Sequence, residues 1–261
     1  MKKRIWELDF LRGFSIIMMV FDHLMYDFMY MPKLFSNFHA VDNSVFNFLR
    51  ILATNYWKSE LRFFGHLFFV SVFLIVSGIS YTFSKNNLSR GLKLLLLSLI
   101  ITAVSLGLDF FLSDTLIVFG IIHLYATSIL IIYLLRKFIK NELVLLIIAF
   151  IIIGIGFPLG FYDIEYYDTF EWKNLPAIII GVKAFGSDYF SIFPYTGVIL
   201  LGTVLGKIYY SNKVSLIPQV KMTEKNIFIF AGQKSLIIFI THQAFLLAFV
   251  YLIGYILGYH Y

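Results

Sequence analysis

The sequence contains no cysteine. That excludes a disulfide scaffold, thiolate metal sites and cysteine nucleophiles, and it leaves the redox compartment unread. Charge is scarce too: Asp, Glu, Lys and Arg make up 14% of the 261 residues, against roughly 25% in soluble domains. So few charges cannot coat a soluble surface of this size. Proline numbers only five, and with no low-complexity linker, fixed-period repeat or heptad array, a single domain over residues 1–261 is expected. Also missing are a Walker A loop, a Gly-x-Gly-x-x-Gly turn, a Gly-x-Ser-x-Gly elbow and the His-x3-His spacing of a helical zinc site. Any nucleotide phosphate must therefore be met by dispersed basic residues, and no metal is expected.

What is present is apolar. Hydrophobic residues reach 60% and aromatics 19%, with a mean hydropathy of +0.85. A hydrocarbon core of ~30 Å needs ~20 apolar residues per helix, and that ruler places spans near 10–31, 63–83, 92–112, 116–135, 142–158, 190–210 and 234–258. Two stretches, 45–57 and 175–185, are apolar but ambiguous. The fold class is all-α, a polytopic integral membrane helical bundle with seven or eight transmembrane helices.

Lysine and arginine set the orientation. With Lys2, Lys3 and Arg4 in the cytoplasm, the inner segments collect Lys85, Arg90 and Lys93, then Arg136, Lys137 and Lys140, then Lys207, Lys213, Lys221, Lys225 and Lys234. The outer segments hold Asp163, Glu165, Asp168 and Glu171 and fewer basic residues. The net charge of +6 is thus a topology signal, with no need of a nucleic-acid partner. The first span is too long and too polar for a cleaved signal peptide, so a retained anchor with a cytoplasmic N-terminus is expected.

Ionisable residues inside spans are costly and mark functional sites by default. In the first span Asp9 and Arg12 share a face at the inner mouth, as an anchoring ion pair or a binding element. Further out lie Asp22, His23 and Asp27. His23 and Asp27 are four residues apart, so the carboxylate is expected to fix the imidazole tautomer, as a general base requires. Arg62 and His66 repeat that spacing; Arg62 would hold a carboxylate from the first span, hold a polar group of a substrate, or snorkel to the headgroups. Ser77-Gly78 permits close helix packing. His123 in the fourth span and His242-Gln243 in the seventh are expected to converge with His23 on one buried polar cavity. Asp188 opens the sixth span, as a helix cap or a substrate contact.

Several blocks carry a resemblance. Arg4-Ile-Trp-Glu-Leu-Asp9-Phe-Leu-Arg12-Gly13, followed by His23-x3-Asp27, Phe73-Leu-Ile-Val-Ser77-Gly78, Phe119-Gly120-Ile-Ile-His123, Asp188…Phe193-Pro194 and Gly232-x2-Ser235…His242-Gln243, resembles bacterial members of the heparan-α-glucosaminide N-acetyltransferase family. The resemblance implies a plasma-membrane enzyme that passes an acetyl group from cytoplasmic acetyl-CoA across the bilayer to a sugar or glycan acceptor. His23, oriented by Asp27, would then act as base, with His123, His242 or Gln243 as donors to the oxyanion. Arg62 and Asp188 would contact the acceptor, and Asp9 and Arg12 the donor's phosphates. Homo-oligomerisation is left open. The competing reading is a proton-coupled transporter or exporter using the same residues as a relay; the lack of inverted repeats speaks against it.

Overall fold

The computed structural model describes residues 4–41, 43–111, 114–161, 165–167, 169–186, 188–220, 222–223 and 225–260. Lys2, Lys3, Asp163, Asp168 and Lys221, invoked above for orientation, lie outside the described residues. Ten α-helices account for nearly all regular structure among these residues: α1 (Trp6–Leu34), α2 (Ser44–Trp57), α3 (Glu60–Tyr81), α4 (Asn87–Asp109), α5 (Ile121–Phe138), α6 (Glu142–Phe161), α7 (Leu175–Ile180), α8 (Tyr195–Tyr209), α9 (Ile227–Gln233) and α10 (Ser235–Ile256). Two-residue strands β1 (Glu165–Tyr166) and β2 (Lys183–Ala184) pair in parallel. The all-α class expected from the sequence is the one observed.

Among the described residues, four helices, α3, α4, α5 and α10, are long and apolar enough to cross a membrane, and α6 and α8 contain shorter apolar helical stretches. Helix α1 is the longest at 29 residues, about 43 Å at ~1.5 Å per residue, but it carries the acidic residues described below. Of the ambiguous stretches, 45–57 is helical as α2, with 14 residues, too few to span upright. Residues 175–185 break into the single-turn α7, a left-handed Gly181 and β2. The fourth span starts later than the apolar run suggests, because 114–120 is not helical and α5 begins at Ile121.

The described residues cluster into two compact units, Met1–Phe73 with Val214–Tyr261, and Leu74–Lys213. In the first unit, α1 packs on α2, α9 and α10. Asn43 caps α2 by accepting from the Val45 and Phe46 amides, and Asn226 caps α9 in the same way, satisfying amides that have no partner inside the helix. Met25, Phe28, Met31, Phe35, Phe38, Phe46, Val250 and Tyr259 form the core around the second half of α1. The first half of α1 meets α9 backbone to backbone at Gly13 and Gly232, flanked by the rings of Phe10 and Phe14 on Phe228. A Cβ on Gly13 would stand 1.6 Å from the Phe228 carbonyl oxygen, and one on Gly232 1.8 Å from the Asp9 carbonyl oxygen. Small residues at a helix crossing allow this approach.

The second unit repeats the device. A Cβ on Gly78 would meet the Ile199 carbonyl oxygen at 2.1 Å, and one on Gly202 the Ile75 carbonyl oxygen at 2.3 Å, so the packing role expected of Ser77-Gly78 is realised between the second half of α3 and α8. Ser128 on α5 and Thr196 on α8 share a buried hydrogen bond of 2.7 Å. The Asp109 carboxylate closes α4 by accepting from the Thr115 and Leu116 amides.

Because the obstacle at Gly13 and Gly232 is backbone, it cannot swing aside as a side chain would. Gly13→Ala or Gly232→Ala is expected to cost at least ~3 kcal/mol, the upper part of the overpacking range, and to lower the thermal midpoint in detergent. Gly107→Ala, where nothing lies within 4 Å, is expected to be neutral or mildly stabilising.

Candidate functional site

In the unit formed by Met1–Phe73 and Val214–Tyr261, α1 and α10 bring two of the expected histidines together. The rings of His23 and His242 meet edge to face, 4.7 Å between centroids at 90°. Each is fixed by its own helix: His23 Nδ1 lies 2.9 Å from the Met19 carbonyl oxygen, and His242 Nδ1 2.7 Å from that of Phe239. A carbonyl only accepts, so the proton of each neutral ring sits on Nδ1 and the Nε2 lone pair is left for chemistry.

The His23–Asp27 pair expected from four-residue spacing does not form. Met19 takes the His23 proton, and Asp27 turns to α10, where its Oδ1 accepts from Gln243 Nε2 at 2.8 Å. Asp27 is 3% exposed. Its Oδ2, Gln243 Oε1 and His242 Nε2 are all buried and have no hydrogen-bond partner among the described residues. These three atoms are acceptors. Such orphans are rare in native interiors and call for an explanation; here they suit a ligand that brings O–H or N–H groups. One hydrogen of the Gln243 amide is spent on Asp27, which leaves the second, and neutral His242 presents a lone pair at Nε2.

One turn before Asp27, Asp22 anchors a second cluster. Arg62 grips it with two charge-assisted bonds, Nε to Oδ1 at 3.1 Å and Nη2 to Oδ2 at 2.8 Å, so the first-span carboxylate proposed as its partner is the one it holds. Tyr56 donates its hydroxyl to Oδ1 at 3.0 Å, and His66 Nδ1 lies 3.7 Å from Oδ2. The guanidinium also stacks over Trp57 at 3.8 Å. Sequence reasoning missed Tyr56 and Trp57; the available signal was an aromatic pair closing a short helix just before Arg62. At the start of α1, Arg12 Nη1 donates to Asp9 Oδ1 at 3.3 Å, and Arg4 approaches Oδ2 at 3.7 Å. Glu7, also unanticipated, accepts from the Ser215 hydroxyl and the Leu216 amide, both at 2.8 Å.

His123 and Asp188 belong to the Leu74–Lys213 unit. His123 is the third residue of α5, not a residue deep within a span. Its Nδ1 accepts from the Gly120 amide at 3.2 Å. Nε2 faces Thr102 Oγ1 at 2.9 Å, and Thr102 gives its own proton to the Ile117 carbonyl oxygen. Both ring nitrogens are thus engaged in fixing the start of the helix. Asp188 lies in the segment before α8 and does not cap that helix, whose N-terminal flank is Pro194. It packs on Gly120 so closely that a Cβ there would stand 2.3 Å from its Oδ2. Among the described residues, no group of three or more His, Asp or Glu is placed to hold a metal ion.

The clamp on Asp22 gives a stability prediction. Asp22→Ala strands the guanidinium of Arg62 and is expected to cost about 3–5 kcal/mol, as for other buried pairs that lose one partner. Arg62→Lys is expected to lose most of the same stability, because an ammonium cannot reproduce the fork or the stack on Trp57. Thermal denaturation of the purified variants measures both.

No curated protein matches the chain, and neither does any solved structure. The family model described as heparan-alpha-glucosaminide N-acetyltransferase, catalytic, matches residues 4–244. That match takes in α1 through the first part of α10 and covers every candidate residue named above. The chain belongs to this family of membrane acyltransferases.

Proposed function

We propose that the protein transfers an acetyl group from cytoplasmic acetyl-CoA to a sugar amine or hydroxyl on the outer side of the plasma membrane, with its N-terminus in the cytoplasm. One observation carries the reading: two imidazoles with their Nε2 lone pairs free, beside unpartnered acceptor oxygens of Asp27 and Gln243, in a chain of this family.

In the proposed step the acceptor O–H or N–H gives its proton to Nε2 of His23, and the freed lone pair attacks the thioester carbonyl. The C–S bond then breaks and the coenzyme A thiolate leaves, taking up the proton that His23 Nε2 received. His242, in edge contact with His23, is proposed to orient the acceptor through its free Nε2 lone pair. Asp27 Oδ2 and Gln243 Oε1 accept from the other polar hydrogens of the acceptor, and their fixed geometry orients it. Arg62, locked on Asp22, is proposed as a further acceptor contact. Arg12, held by Asp9, is proposed to meet phosphates of the donor. His123 acts by fixing the start of α5, so its part is positioning.

Transfer from labelled acetyl-CoA to candidate sugars in proteoliposomes tests this. His23→Ala is expected to lower the rate by about 10²–10⁴, the usual contribution of a general base, with coenzyme A binding unchanged. Full activity in a folded His23→Ala variant would overturn the assignment. Uptake driven by a pH gradient without acetyl-CoA would instead favour the transporter reading.

A further inference from the structure

The Leu74–Lys213 unit holds a cavity of about 350 Å³, within the size range of small-molecule sites, that the proposed chemistry does not use. It lies where the end of α3 and the starts of α4 and α6 meet the ends of α5 and α8, and it is lined by Ser84, Asn87, Arg136, Lys140, Glu142 and Lys207 among others. We propose that this bay binds a phosphate-bearing ligand.

Its charges are unevenly satisfied. Glu142 is the one carboxylate among its lining residues, and both its oxygens are taken by Arg136, at 2.7 and 3.0 Å. Arg136 is held from behind by Thr203, whose hydroxyl oxygen accepts from Nη2 at 2.8 Å and from Nε at 3.3 Å. That pair is closed. Lys140 spends one hydrogen on the Arg136 carbonyl oxygen at 2.7 Å, leaving two. Lys207 makes no hydrogen bond or ion pair among the described residues. Two lysines therefore line the bay with no carboxylate partner among the described residues. Asn87 adds an independent sign of an occupant: its Nδ2 donates to the Tyr81 carbonyl oxygen at 3.2 Å, while its Oδ1 is buried without a partner. Two cations beside an acceptor suit a phosphate ester, whose anionic oxygens meet Lys140 and Lys207 while a hydroxyl of the esterified group donates to Asn87. An anion without a hydroxyl would leave Asn87 unsatisfied. Phospholipid headgroups and soluble phosphate esters share this chemistry, and the site stands whether or not the chain transfers acyl groups.

The test uses the full chain in phosphatidylcholine nanodiscs titrated with glycerol 3-phosphate by calorimetry, and, separately, native mass spectrometry after reconstitution with phosphatidylglycerol. Binding of the soluble probe, or retention of phosphatidylglycerol over phosphatidylcholine, is expected from the native chain, and the arm that responds identifies the source. In Lys140→Ala/Lys207→Ala the affinity or retention should fall at least tenfold. It should survive in Lys140→Arg/Lys207→Arg and in the charge-matched Lys93→Ala/Lys225→Ala, which lies outside the bay. Failure of the native chain to bind either probe, or undiminished binding by the alanine pair, overturns the proposal. Should the alanine pair not fold, Lys207→Gln alone carries the same comparison. Acetyl transfer plays no part in these readings, so their failure is separable from that of the acyltransferase proposal.

Discussion

At Gly13 and Gly232 two helices touch backbone to backbone, and the candidate site depends on that contact. Helix α9 is followed at once by α10, and Gly232 stands ten residues before His242. Gly13 stands ten residues before His23. Holding the chain at these glycines, with no side chain as a spacer, sets the depth and rotation at which α1 and α10 run on together. Two imidazoles one helix-length away then meet within 4.7 Å. The aromatic core around Phe28, Phe35 and Tyr259 closes the same helices beyond the histidines, so the polar residues lie between two tight contacts and have little freedom to drift.

A second constraint explains why those polar residues are arranged as they are. In hydrocarbon, helix backbones satisfy themselves, but side chains must find protein partners. Asp22 meets this in full, with Arg62, Tyr56 and His66 around one carboxylate. Asp27, five residues on, meets it by half: one oxygen has Gln243, and the other has no partner among the described residues. One helix thus carries a closed carboxylate and an open one, and the closed one holds the scaffold on which the open one is displayed.

Much of the scaffold was legible in the sequence because apolar runs of helix length report lipid directly. The Asp9–Arg12 contact was legible because it is local and both residues ride the same helix face. Arg62 could be matched with a first-span carboxylate, though not with Asp22 in particular, and the aromatic pair at 56–57 was a signal only of position, since ring type alone does not say which neighbour a tyrosine or tryptophan will meet. The pairing of His23 with Asp27 failed for a physical reason: spacing shows what can reach, not what competes. Within α1 the Met19 carbonyl competes for the imidazole proton, and Gln243, distant in sequence, competes for the carboxylate. His123 was placed too deep because hydropathy cannot distinguish an apolar loop from an apolar helix; Gly120, just ahead of it, is where the helix starts.

Trp57 lies half-buried beneath the Arg62 guanidinium at 3.8 Å, whereas Trp172 is 77% exposed. The chain has three tryptophans, the third being Trp6. A cation held over an indole ring shifts and quenches its emission, so the protein carries its own optical gauge of whether the Asp22 clamp is shut. With Trp6 and Trp172 replaced by phenylalanine, that single indole would report on the order of the candidate site in intact membranes, without any label.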